Sequence, residues 1–220
     1  MKKVILATAI ALCTTSAFAA ETAVLKVKGV LTNSACSAEL SQGGVIDYGT
    51  IHLSSLSSTA NNVIGQKQLP VSITCPVATK VGFNITDNHS DTNAQLPVDI
   101  GSTTGVTEKY YTYGVGKTAG DVKIGSYGMW MTDVTANSNT VDAIVQNQDW
   151  TDGHWIKSAT PRSDAFTTSS FATTGTKEPI AITTATFNFV TNLVIQKTST
   201  LAITDDTPFE GQATMTLVYL

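Results

Sequence analysis

The sequence predicts an all-β chain, and three observations lead there. Thr, Ser, Val, Ala, Asn and Gly dominate the composition, and runs of Glu, Lys or Leu are scarce. β-Branched residues suit a pleated surface, while Asn and Gly suit turns. Short segments alternate apolar and polar residues with period two, the repeat of a strand with one buried face. No apolar pattern at i, i+3, i+4, i+7 lasts beyond a turn or two, so no long helix is expected.

Residues 1–19 read as a secretory signal peptide. Lys2 and Lys3 give a positive start, Val4 to Leu12 a short apolar run, and Ala17-Phe18-Ala19 a small-residue cleavage site. The run is too short to span a bilayer, and no later segment approaches ~18–20 unbroken apolar residues. The expected mature chain starts at Ala20 and leaves the cytoplasm. With no Arg-Arg pair, the general secretion route is expected. Of 13 Lys and Arg, Lys2 and Lys3 go with the signal, leaving 11 against 17 Asp and Glu, a net charge of −6. The remaining length suits one large β domain, residues 32–220, behind a short segment at 20–31. A mildly acidic chain with no basic stripe is a poor partner for nucleic acid.

The stretch behind the cleavage site, Ala20 to Cys36, alternates. Ala23, Leu25, Val27, Gly29 and Leu31 fall on one face; Val24, Lys26, Lys28 and Val30 fall on the other. A strand like this at a new N-terminus either pairs within its own chain or is taken up by another molecule. Cys13 leaves with the signal, so Cys36 and Cys75 remain as an even pair. In an oxidising compartment a disulfide is the default. Closing a loop of about 40 residues stabilises by roughly 3–4 kcal/mol. A redox or metal pair is the rival reading, but neither cysteine sits in C-x-x-C and no His lies at ligand spacing.

Along the chain, Ser37 to Leu40 continues the strand and Ser41 to Gly44 is a turn. Val45 to Ile51 is a short extended piece, and Ser54 to Asn62 a polar loop. Gln68 to Cys75 places Leu69, Val71, Ile73 and Cys75 on one face, with the cysteine pointing into the core. Lys80 to Thr86 does the same with Val81, Phe83 and Ile85. These two runs read as adjacent strands joined near Pro76. Asp87 to Gly105 and Lys157 to Thr176 read as long loops. Between them come an aromatic strand at Tyr110 to Gly116, a long strand from Val122 to Met131, a turn at Asn137 to Asn139 and a strand at Val141 to Gln146. A hairpin turning at Asp152-Gly153 follows. Ile180 to Ile195 is strongly β, and Thr198 to Thr204 is one more strand. In Phe209 to Leu220, one face carries Gly211, Ala213, Met215, Leu217 and Tyr219, and the sequence stops inside this apolar strand. Short strands at this spacing suggest a β-sandwich of immunoglobulin type.

Motifs for chemistry are sparse. His52, His89 and His154 lie far apart, with no H-x-x-x-H or H-E-x-x-H, so no metal site or cofactor is expected. There is no G-x-S-x-G, and nothing selects a glycosidase pair among Asp47, Asp87, Asp133 and Asp149. No catalytic residue is assigned. Trp150 and Trp155 flank the Asp152-Gly153 turn as candidate ligand aromatics, for a sugar or a subunit contact; satellite core under a loop is the plainer reading.

Taken together, the two ends resemble a chaperone–usher fimbrial subunit. The features are the alternating strand with Lys28-Gly29 in its middle, Asn33-Ser34-Ala35-Cys36, a second cysteine 39 residues on, and a last strand with a penultimate Tyr219. The Tyr113 to Gly120 stretch, running into Val122 to Tyr127, is similar to a fimbrial-like subfamily of that group. The middle of the chain is longer than such pilins commonly are, and Gly211 lies nearer the end than the family's glycine. The resemblance implies a sandwich lacking its final strand, completed by a strand from a periplasmic chaperone and then from the neighbouring subunit. Ala23, Leu25, Val27, Gly29 and Leu31 would be that donor strand. Gly211, Ala213, Met215, Leu217 and Tyr219 would face the chaperone. An outer-membrane usher would export a head-to-tail fibre to the cell surface, where any host glycan is met indirectly. The rival from another class is a self-complete secreted or periplasmic carbohydrate-binding module using Trp150 and Trp155; a secreted hydrolase comes third.

Overall fold

The computed structural model describes residues 35–220. The expected signal peptide at 1–19 and the segment expected to form a strand with Ala23, Leu25, Val27, Gly29 and Leu31 on one face lie outside the described residues. The elements are β1 (Ser37–Leu40), β2 (Asn62–Asp87), β3 (Val98–Ile100), β4 (Thr103–Val106), β5 (Thr112–Gly114), β6 (Gly125–Ala136), β7 (Asn139–Asn147), β8 (Ile156–Lys157), β9 (Thr167–Thr173), β10 (Ala181–Ile195), α1 (Thr198–Leu201) and β11 (Ala213–Tyr219). The chain is almost entirely β, as expected; among the described residues α1 is the single α-helix and has four residues.

The largest departure from the sequence reading is β2. Residues 68–75 and 80–86 are not adjacent strands but two halves of one strand of 26 residues. Pro76 marks a register shift rather than a turn. β10 pairs with β2 as Ile182↔Thr79 and then as Thr184↔Thr74, so the missing proline N–H falls where the ladder is already interrupted. The alternation itself holds: Leu69, Val71, Ile73, Cys75, Val81, Phe83 and Ile85 are all buried.

The N-terminal half of β2 lies between β10 and β1, and its C-terminal half lies between β9 and β11. The main sheet runs β5-β6-β10-β2-β9-β7-β8. A further pairing of β6 with β7, at Thr135↔Thr140 and Ala136↔Asn139, joins its two wings. β2, β10, β6, β7 and β9 thus close into a barrel-like ring. Asn137 and Ser138, with φ of 49° and 66°, form the tight turn that this closure needs. Phe83, Phe171, Phe187 and Phe189 fill the ring with Ile73, Ile85, Met129 and Met131.

Both expected long loops contain strands. β3 and β4 pair as a small ribbon. Leu96, Val98, Ile100 and Val106 of this region pack on Trp130, Val190 and Val194, so β6 and β10 are apolar on both faces. β9 is mostly Ser and Thr, yet Thr167, Ser169 and Ser170 are buried. Small side chains let it pass close to β2, where a Cβ on Gly82 would come within 2.5 Å of the Ser169 carbonyl oxygen. Two shorter expectations also change. Val45 to Ile51 forms no strand and is anchored by the Tyr48 hydroxyl, which donates to the Thr191 carbonyl. Residues 198–201 form α1 and bury Leu201 against Val115, Ile124, Leu193 and Ile195.

Asp142 links three elements of this wing. It accepts from the Gly175 N–H at 2.9 Å and lies 2.7 Å from Lys157 Nζ. The Gly175 N–H first, and then Lys157, hold its carboxyl below the ordinary Asp value. A depressed carboxyl contributes stability that is complete above its unfolded value, near pH ~4, and is lost as pH falls through its folded value. Asp142→Asn is therefore expected to flatten the loss of melting temperature below about pH 4 relative to the parent chain. An unchanged acid slope would remove Asp142 as a contributor.

Candidate functional site: the outer edge of β11

β11 begins where the chain crosses β5. The Glu210 N–H donates to the Val115 carbonyl at 3.1 Å. Gly211 lies so close to Gly114 that an added Cβ would stand 2.7 Å from the Gly114 carbonyl oxygen. Asn88 then fixes the approach to the strand: its N–H donates to the Gln212 carbonyl, and its Nδ2 donates to Gln212 Oε1 and Thr214 Oγ1. From Ala213↔Asp87 to Tyr219↔Val81 the strand pairs antiparallel with β2.

The hydrogen bonds at the two ends fix which backbone groups face which way. Asn88 N–H bonds Gln212 O, and Leu220 N–H bonds Lys80 O. With the register between them, residues 214, 216 and 218 turn their N–H and C=O groups toward β2. Those of Ala213, Met215, Leu217 and Tyr219 turn to the opposite edge. Among the described residues, no strand pairs with that edge. Beneath it, Met215 and Leu217 of β11, Leu40 of β1 and Cys36 just before β1 pack on the ring core but are only partly buried.

The far end of the edge is tied to β1. The Cys36 N–H donates to Tyr219 Oη at 2.8 Å, and Cys36 is bonded to Cys75 in the disulfide. β1 and β11 thus share one side of β2, covering Val71 to Thr74 and Val81 to Asp87 respectively. Tyr219 is 55% exposed and Leu220 46%. Of the five C-terminal candidates, Met215 and Leu217 reach the core, Gly211 meets β5, Tyr219 meets β1, and Ala213 is exposed.

A polar knot near the start of the edge was not legible in the sequence. Asp87 is buried, and its two oxygens accept the N–H groups of His89 and Gly114, each at 2.9 Å. It thereby fastens β5 to the end of β2. Burial pushes its carboxyl up, and the two backbone N–H groups oppose this. Above it, Tyr113 stacks on Tyr127 with ring centroids 4.8 Å apart, and burial raises both phenols. The only sequence sign of this knot is Gly114 at the end of an aromatic run. A Cβ there would meet the His89 carbonyl oxygen at 2.2 Å.

The two tryptophan candidates do not form one platform. Trp155 is buried with Ile144 and Ala172 and so is core. Trp150 is half-buried and stacks on His154.

A family described as "Protein of unknown function (DUF1120)" matches residues 25–128, ending within β6 and short of β11. The chain is 25% identical over 233 residues to Protein GltF of Escherichia coli (strain K12), spanning 89% of this chain and 87% of GltF. It is 30% identical over 138 residues to the Uncharacterized protein YhcF of the same organism, spanning 58% of this chain and 56% of YhcF.

Proposed function

We propose that this chain is a non-catalytic structural subunit of a chaperone–usher surface fimbria, exported through the periplasm and polymerised by strand donation. The observation that carries this reading is the β11 edge. Its outward backbone groups have no partner among the described residues, and apolar side chains lie half-covered beneath it. An edge of that kind templates strand addition unless it is filled. The fold is then read as an immunoglobulin-like sandwich lacking its final strand. The segment Ala23, Leu25, Val27, Gly29 and Leu31 of a neighbouring subunit supplies that strand, after a periplasmic chaperone has held the edge and an usher has accepted the subunit. Each apolar side chain buried in this way stabilises by roughly 1.5–3 kcal/mol. Gly29 sits where the partner backbone leaves no room for a Cβ. A head-to-tail contact does not close, so it yields a filament.

The test is to refold residues 32–220 with and without a synthetic peptide of residues 20–31. The expected result is a rise in melting temperature of about 10 °C or more, equivalent to a few kcal/mol, that Gly29→Asn in the peptide abolishes. A stable monomer indifferent to the peptide overturns the reading.

A further inference from the structure

The loop between β7 and β8 carries a three-residue arrangement that strand donation does not use. His154 Nδ1 lies 2.5 Å from Asp152 Oδ1, and the His154 backbone N–H donates to the same oxygen at 3.3 Å. On its flat side, the imidazole stacks on the Trp150 indole, with centroids 4.0 Å apart and planes within 15°. Gly153, with φ of +71°, makes the tight turn that brings the three together, and its N–H donates back to the Trp150 carbonyl. Asp152 and His154 are both exposed, whereas the neighbouring Trp155 is anchored in the core. The hinge of this loop is therefore fixed and its tip is free to respond to solvent.

We propose that Asp152, His154 and Trp150 form a proton-operated clasp on the β7–β8 loop. With the imidazole charged, Nδ1–H donates to a carboxylate and a cation lies over the indole face, two attractions that depend on the charge. With the imidazole neutral, the ion pair and the cation over the indole are both lost, only bonds from neutral donors to the carboxylate remain, and the loop tip opens, freeing Trp150. Histidine is the side chain whose ordinary titration falls between about pH 5 and 8. The carboxyl of Asp152 is held below its usual range by its bond to His154, so it stays ionised throughout. The other charges nearby are engaged or peripheral. Lys157 of β8 is paired with Asp142. Arg162 and Asp164, on the turn that Gln148 bonds through Phe166 and Ala165, are paired with each other. Asp149 shares the loop.

Tryptophan fluorescence of the full chain tests the clasp. Trp130 and Trp155 are buried and give a constant background, whereas an imidazolium against Trp150 quenches its emission. Emission is expected to rise as pH increases between about 5 and 8. The rise should vanish in His154→Gln and in Trp150→Phe, and shrink in Asp152→Asn. A parent chain whose emission is flat over that range, or a His154→Gln chain that keeps the titration, overturns the clasp. Neither outcome depends on polymerisation.

Discussion

Phe83→Ala is expected to cost about 3–5 kcal/mol of stability, the range for removing a buried aromatic from a packed core. Phe83 is fully buried. It stacks on Phe187 at 5.5 Å and meets Phe189 edge-on at 5.9 Å. Its backbone lies between Leu217 of β11 and Ser169 of β9. The ring therefore sits where β2 passes from its β10 partner to its β9 and β11 partners. A cavity there loosens both halves at once. Urea unfolding is the measurement. A loss below about 1 kcal/mol would mean that the site collapses around the cavity.

Reducing the Cys36–Cys75 disulfide is the second large effect. The bridge spans 39 residues, and the chain-entropy model gives roughly 3–4 kcal/mol for such a loop. For a chain of this size that lowers the melting temperature by about 6–16 °C. A local consequence should accompany the global one. Cys36 also donates its N–H to Tyr219, so releasing it unties the end of β11. In the Cys36→Ser, Cys75→Ser double variant, the amides of Val218 and Leu220 should exchange faster than those of β10. Equal exchange in both strands would mean that the disulfide acts on β1 alone.

How much of this was legible varies with the kind of signal. Period-two alternation found the core faces of both halves of β2 and of β11 because one side of each strand meets the core and the other does not. The cysteine pair was read correctly because two cysteines admit one pairing. β9 was missed because its Ser and Thr look solvated; they are buried for their small size against Gly82, a property of the neighbour rather than of the segment. β3 and β4 were missed because their apolar residues serve a second cluster on the outer side of the sheet. That cluster exists only once Trp130, Val190 and Val194 are seen to face outward. Pro76 misled because a proline inside a long strand signals a turn unless the partner's register shift is known. The Asp87 knot depends on backbone N–H groups, which any residue supplies, and so it leaves almost no sequence trace.

The order of synthesis gives the shared strand β2 a cost in time. Its residues 62–87 emerge early, yet the strands that flank most of it, residues 181–195 and 213–219, come at the end of the sequence. At roughly 5–20 residues per second, about 100 intervening residues keep β2 waiting for several seconds, with β1 over Val71 to Thr74 the one flanking strand made before it. Pairings this distant in sequence also form slowly once both strands are present. A newly made chain thus passes through a window in which its longest apolar strand is open to any other strand it meets, and whatever shields it must act before the last forty residues arrive.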